Sequence, residues 1–170
     1  MPHWSVSKTL LKKQKAMKTY LTSIFFFIPL ICQGVNYHSL ADAVAVAESN
    51  NDSQAVGDSG KARGAYQMWE IAWKQVNTLR AKEKRYRYPW SYAHDRFVSK
   101  QYAIDYLRWC GWVLEKHLGR KPTYWEVYAA YARGPSCFIE EHDCRYSSLP
   151  KRTHRAISVI ASQLKETLPR

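Results

Sequence analysis

Glu48 ends a stretch, "ADAVAVAES", that is otherwise built almost wholly of Ala and Val. Apolar surroundings penalise the charged form of a carboxyl group, so its pKa rises. Held protonated near neutrality, such an acid can give its proton to a leaving oxygen. Glycosidic bonds need that proton, because an alkoxide leaves poorly while the sugar carbon becomes oxocarbenium-like. The plain alternative is a solvated charge at a helix end. Against that, a carboxylate in the last turn of a helix opposes the helix dipole, so helix stability does not explain it.

Other chemistries find little support. The sequence has no phosphate loop, no dinucleotide fingerprint and no paired-cysteine zinc pattern, and no Ser or Cys stands beside a candidate His base. His142 lies near Cys144 but no second paired cluster accompanies it, so neither a metal nor a cofactor is expected. In an oxidising compartment Cys137 and Cys144, separated by six residues, are candidates for a disulfide stapling a short loop, with Cys110 left over and buried.

The elements that must position Glu48 read as helices. Ser39 and Asp42 have capping-box spacing, and the alanine-rich run after them predicts a helix over 40–49. Residues 50–63, "NNDSQAVGDSGKAR", are turn formers and read as a structured loop or small hairpin. A second helix is expected over 65–82, with Trp69, Ala72, Trp73 and Val76 on one apolar face. Pro89 breaks the basic, aromatic segment "RAKEKRYRYPW", which reads either as a solvated linker or as a surface that docks on an anionic wall. Ser91 is a candidate cap for a long helix reaching His117, with a bend at Gly111. Thr123 and Glu126 form another capping box, Gly134-Pro135 is a stop, and Tyr124, Val127, Tyr128 and Tyr131 share a face between them. "KRTHRAISVIASQLKETL" supplies a last amphipathic helix with Ile157, Ile160, Ala161 and Leu164 inward. The fold class is therefore mainly α, with a loop or small hairpin between the first two helices. At helical spacing most of the tryptophans are core, and one or two are expected in a cleft.

The chain of 170 residues is one domain's worth. Residues 1–34 stand apart, with five lysines, no acids and the apolar run "LTSIFFFIPLI". That is the layout of a secretory signal, with Met17 a possible true start and cleavage expected after Gly34. Two readings compete: an uncleaved anchor, for which the apolar run is short against the ~20 residues of a span, and a lipidated Cys32, for which Ile31 is too large. Export to the periplasm or extracellular space follows. Residues 35–170 keep 21 Lys and Arg against 14 Asp and Glu. A basic exported protein has the cell wall and anionic headgroups as its natural partners, and nucleic acid is not expected.

Three short blocks add to this. Glu48-Ser49, then Gly64-Ala65-Tyr66-Gln67-Met68, then Ala129-Ala130-Tyr131 with Gly134-Pro135 resemble, in order, the E-S, G-L-M-Q and A-Y-N-x-G blocks of the lysozyme-like lytic transglycosylases, the soluble lytic transglycosylase (SLT) domain family. The resemblance spans about Leu40 to Leu164 and implies a lysozyme-like helical domain that cleaves the MurNAc-GlcNAc bond of peptidoglycan. It puts Glu48 on the catalytic acid/base and Ser49 on a serine beside the substrate. Gly64 falls where backbone approaches a sugar, and Gln67 on a glutamine supporting the cleft. Tyr66 and Met68 become candidates for sugar contact, and Tyr131 the tyrosine that orients the glutamate. The family reaction implies 1,6-anhydro-MurNAc ends formed without water.

The sequence also departs from the family. Ala132 replaces the usual Asn, with Arg133 next to it; Tyr66 stands where Met is common; and the loop after Glu48 is longer and carries Asp52 and Asp58. If either aspartate positions water, hydrolysis of the goose-type lysozyme kind is the alternative outcome. A non-catalytic wall-binding or assembly module is the other, motivated by Ala132.

Overall fold

The computed structural model describes residues 34–169, so the proposed signal segment lies, except for Gly34, outside the described residues. Among the described residues six α-helices carry the fold: α1 Tyr37–Ser49, α2 Glu70–Lys82, α3 Arg96–Leu118, α4 Tyr124–Arg133, α5 Pro135–Glu140 and α6 Lys151–Leu164. Between α1 and α2 runs a small antiparallel meander of β1 Val56–Gly57, β2 Ala62–Arg63 and β3 Met68–Trp69. Val56 pairs with Arg63, and Ala62 with Trp69. The mainly α architecture with a hairpin after the first helix is thus observed. Among the described residues no helix is long and apolar enough to cross a membrane.

Several boundaries differ from the sequence reading, each for a local reason. Helix α1 begins earlier because Asn36, not Ser39, caps it, its Oδ1 accepting from the backbone N–H groups of His38 and Ser39. Helix α2 begins at Glu70 rather than near 65, because Gly64 and Gln67 both have positive φ, 73° and 45°, which no helix tolerates. Trp69, expected inward, ends β3 instead and is 43% exposed. Ser91 lies within a 3₁₀ turn over Trp90–His94, and Asp95 caps α3 through bonds from the N–H groups of Phe97 and Val98. Helix α3 runs uninterrupted through Gly111. That glycine makes room for Tyr37, whose hydroxyl would collide with any Cβ there.

Helix α3 is the spine of the core. Its buried side chains, among them Tyr102, Ile104, Leu107, Cys110 and Leu114, meet α1, α2 and α4, while α6 covers α1. Trp73 stacks on Tyr102 at 3.7 Å between ring centroids and donates to the Tyr88 carbonyl. Arg80 is buried against Asp105, with Nη2 2.8 Å from the carboxylate, and lies over the Tyr102 ring. Arg85 joins the same carboxylate at 3.0 Å. Two cations of the "RAKEKRYRYPW" segment therefore help hold α2 to α3, Arg80 buried and Arg85 from the surface, while Lys82, Lys84 and Tyr86 are exposed without joining this cluster.

The capping box at α4 forms as read. The Glu126 carboxylate, 2% exposed, accepts from the N–H and Oγ1 of Thr123 and from both Arg120 Nη atoms. Burial alone would raise its pKa, but these bonds outweigh it and hold the carboxyl below its ordinary value. The native state thus binds fewer protons than the unfolded chain between the folded pKa and the unfolded value near ~4.3, so this stabilisation is present above that value and lost as pH falls through the folded pKa. Glu126→Gln is expected to lose about 2 kcal/mol at pH 7 in urea unfolding, with the difference from wild type narrowing as the medium is made strongly acid.

Candidate active site

Glu48 sits one residue from the end of α1. The helix stops because Asn50 and Asn51 both adopt left-handed φ, 55° and 64°, returning their N–H groups to Val46 and Ala45. Ser49 then fastens this end to the next block: its Oγ donates to the Ala65 carbonyl at 2.9 Å and accepts from Asp52 N–H at 3.0 Å. Ser49 does not line the cleft, and its expected place beside a substrate is corrected to that of a tie between the two segments.

The second block is a tight turn, not the start of a helix. Gly64, at φ 73°, packs so close to the 3₁₀ turn that a Cβ would overlap the Ala93 carbonyl oxygen, so its backbone meets protein rather than a ligand. Tyr66 is also corrected: it is 3% exposed, lies in the core beside Ala65 and Met68, and is out of reach of a ligand in the cleft. Burial raises its phenol to about 12. Gln67 and Met68 do line the cleft. Gln67 is held in its left-handed conformation by bonds from its N–H and Nε2 to the Gly64 carbonyl, each 3.0 Å. A non-glycine residue fixed in that region is a local strain of the kind that collects at functional sites.

The cleft has a volume of about 900 Å³ and opens between the meander, α2, α4 and the start of α6. Glu48 lies in its wall, half-buried, with Oε1 accepting from Tyr128 OH at 2.7 Å. Tyr131, which also lines the cleft, instead donates to the Tyr66 carbonyl at 2.6 Å. The tyrosine that orients the glutamate is therefore Tyr128, one helical turn before the expected residue. Both lie on the same face of α4, and the sequence has no signal separating one partner from the other.

Desolvation raises the Glu48 pKa, and the nearby Asp58 charge adds to this; the Tyr128 hydrogen bond and the Arg152 guanidinium act in the opposite sense without cancelling it. Asp58 is the other carboxylate in the cleft wall. Slight burial would raise it, but bonds from Trp69 Nε1 at 3.1 Å and Arg152 Nη1 at 3.2 Å hold its pKa below the ordinary value. The cleft thus has one carboxyl pushed toward the protonated form and one held ionised, a separation that assigns an acid and an anion. Asp52 is excluded from this pairing. Its Oδ1 accepts from Gln54 N–H in a turn outside the cleft.

Arg152 and the exposed apolar wall are residues that the sequence reading missed. Arg152 lies in the first turn of α6, more than a hundred residues from Glu48, and only the packing of α6 on α1 brings them together. Trp69 and Ile71, 43% and 75% exposed, form an apolar edge of the cleft beside Lys61, whose Nζ lies 5.7 Å from the Trp69 ring. Ala132, at the position of the family's Asn, faces the cleft with Arg133 and Gly134 beside it.

The expected Cys137–Cys144 disulfide is not formed, and all three cysteines among the described residues are free thiols. Cys137 is on α5, near Arg133 and Glu141, whereas Cys144 packs against the core, so the two thiols face different surroundings. Cys110 is buried, as read.

No protein-family model matches the chain, and no curated protein matches it.

Proposed function

We propose that the protein is an exported peptidoglycan-cleaving enzyme with a lysozyme-like domain, in which Glu48 is the general acid/base for the MurNAc-GlcNAc bond. The observation that carries this reading is the Glu48 carboxyl itself: desolvated, raised in pKa, aimed by Tyr128, and set in the wall of a cleft large enough for several sugar rings. A protonated Glu48 gives its proton to the glycosidic oxygen as the bond breaks. The resulting carboxylate then takes the proton of the MurNAc 6-hydroxyl, which closes on the anomeric carbon and leaves a 1,6-anhydro end. Trp69 and Ile71 offer apolar surface to sugar faces, and Gln67 and Met68 also line the cleft. The substrate N-acetyl group can assist in the absence of a carboxylate nucleophile, since Asp58 is engaged by Trp69 and Arg152.

Asp58 favours one second reading. It is ionised and in the cleft, so a water held by it would turn the same acid to hydrolysis, giving reducing ends. Release of soluble muropeptides from purified sacculi tests the whole proposal; sacculi bound but never cut would leave only a wall-binding module.

Tyr128 gives a finer test. Tyr128→Phe removes the bond that favours ionised Glu48, so the Glu48 pKa rises further and the basic limb of the pH-activity profile moves to higher pH. The rate at the optimum is expected to fall about tenfold, as for one lost positioning hydrogen bond of ~1.4 kcal/mol. Tyr131→Phe, which leaves Glu48 Oε1 bonded, should not move that limb.

A further inference from the structure

We propose that Cys137, Glu141 and His142 form a zinc-binding site, separate from the cleft and independent of the reading given to it. One donor atom from each residue, a thiol sulfur, a carboxylate oxygen and an imidazole nitrogen, lies within 4.8 Å of the other two. The sequence separates Cys137 from Glu141 by one helical turn at the end of α5, and His142 follows directly. Helical geometry thus brings Cys137 and Glu141 together without any long-range packing.

One nitrogen of the imidazole is buried and unused. His142 Nε2 is shut off from solvent and has no hydrogen-bond partner among the described residues. Its backbone is fixed, the carbonyl accepting from Arg145 N–H at 2.8 Å and from Ser148 Oγ at 2.9 Å. A buried imidazole nitrogen without a partner is uncommon, and a metal near it is one of the few groups that make sense of it.

The donor set selects the ion. Sulfur, nitrogen and oxygen donors together suit borderline zinc better than magnesium or calcium, which take oxygen. Tetrahedral zinc takes its donors at about 2.0–2.3 Å, and the exposed Glu141 carboxylate, already hydrogen-bonded to the Cys137 thiol, is placed to exchange that proton for the metal. Three protein donors leave the fourth position to water. Binding displaces the Cys137 proton to solvent, leaving a thiolate on the metal, so affinity falls as pH is lowered. Cys137 Sγ also lies 4.0 Å from Arg133 Nη2, so an occupied site would touch the residue that lines the end of the cleft.

The test uses the full untagged chain isolated without reductant, titrated with zinc alone against a chromophoric chelator and then with cobalt(II). The expected result is one zinc per chain and a sulfur-to-cobalt charge-transfer absorption. Cys137→Ser and His142→Ala should each weaken zinc at least tenfold and abolish or alter that absorption, Glu141→Gln should weaken zinc while leaving the fold untouched, and Cys144→Ser should bind as wild type. The absence of saturable zinc, binding indifferent to Cys137 and His142, or recovery of a Cys137–Cys144 disulfide from the isolated protein would each overturn the site.

Discussion

Glu48→Gln is expected to reduce muropeptide release by about 10²–10⁴-fold, the range associated with loss of a general acid. Glutamine keeps the size of the side chain and can still accept the Tyr128 hydroxyl's hydrogen bond, but it has no proton to give to a leaving oxygen. The same substitution should not weaken the fold. Because the folded pKa of Glu48 is raised, the native state binds more protons than the unfolded chain between the two pKa values, so stability falls as pH rises through that window and the cost persists above it. The variant should therefore be as stable as wild type in acid and more stable near neutrality. Urea unfolding at the two pH values checks the sign. Activity lost together with stability would assign Glu48 a structural part instead.

Gly64→Val is expected to destabilise the protein by about 4 kcal/mol or more, from two separate causes. The backbone at φ 73° disfavours a β-branched side chain, and the new Cβ would overlap the Ala93 carbonyl, a backbone group that cannot rotate away. The damage should reach the cleft, because the Gly64 carbonyl holds both the N–H and Nε2 of Gln67. Gly60 provides the comparison: it also has positive φ, 91°, but nothing lies within 4 Å of its Cβ position. Gly60→Val should suffer the strain without the collision, at about 1–2 kcal/mol. Thermal melting of the two variants separates the two causes.

These residues also mark how far the sequence could be read. Helices with long apolar periodicity were legible, as was the Thr123 capping box, because each depends on residues within a turn or two of one another. The E-S and G-A-Y-Q blocks meet in the structure, where Ser49 bonds the Ala65 carbonyl. Their roles were less legible, because which side of a turn faces a cleft is decided by distant packing: Gly64 is fixed by Ala93, and Tyr66 is taken into the core. Tyr128 and Tyr131 are one turn apart on one face, so only the position of α1 decides which hydroxyl meets Glu48. Arg152 had no signal at all. Its meeting with Asp58 depends on α6 closing over α1 and on the 3₁₀ turn over Asp58–Gly60, where Asp58 and Ser59 take left-handed φ that their types only permit.

The Asp58–Arg152 pair bears on the acceptor as well as on the acid. As long as Trp69 and Arg152 occupy its carboxylate, Asp58 is poorly placed to activate water, and the substrate's own hydroxyl is the better acceptor. The most direct measurement is mass spectrometry of the soluble products released from purified sacculi in ¹⁸O-labelled water. The account predicts muropeptides with 1,6-anhydro ends and no label. Labelled reducing ends would move the reaction to hydrolysis through Asp58, and sacculi that yield no soluble muropeptides would contradict the account.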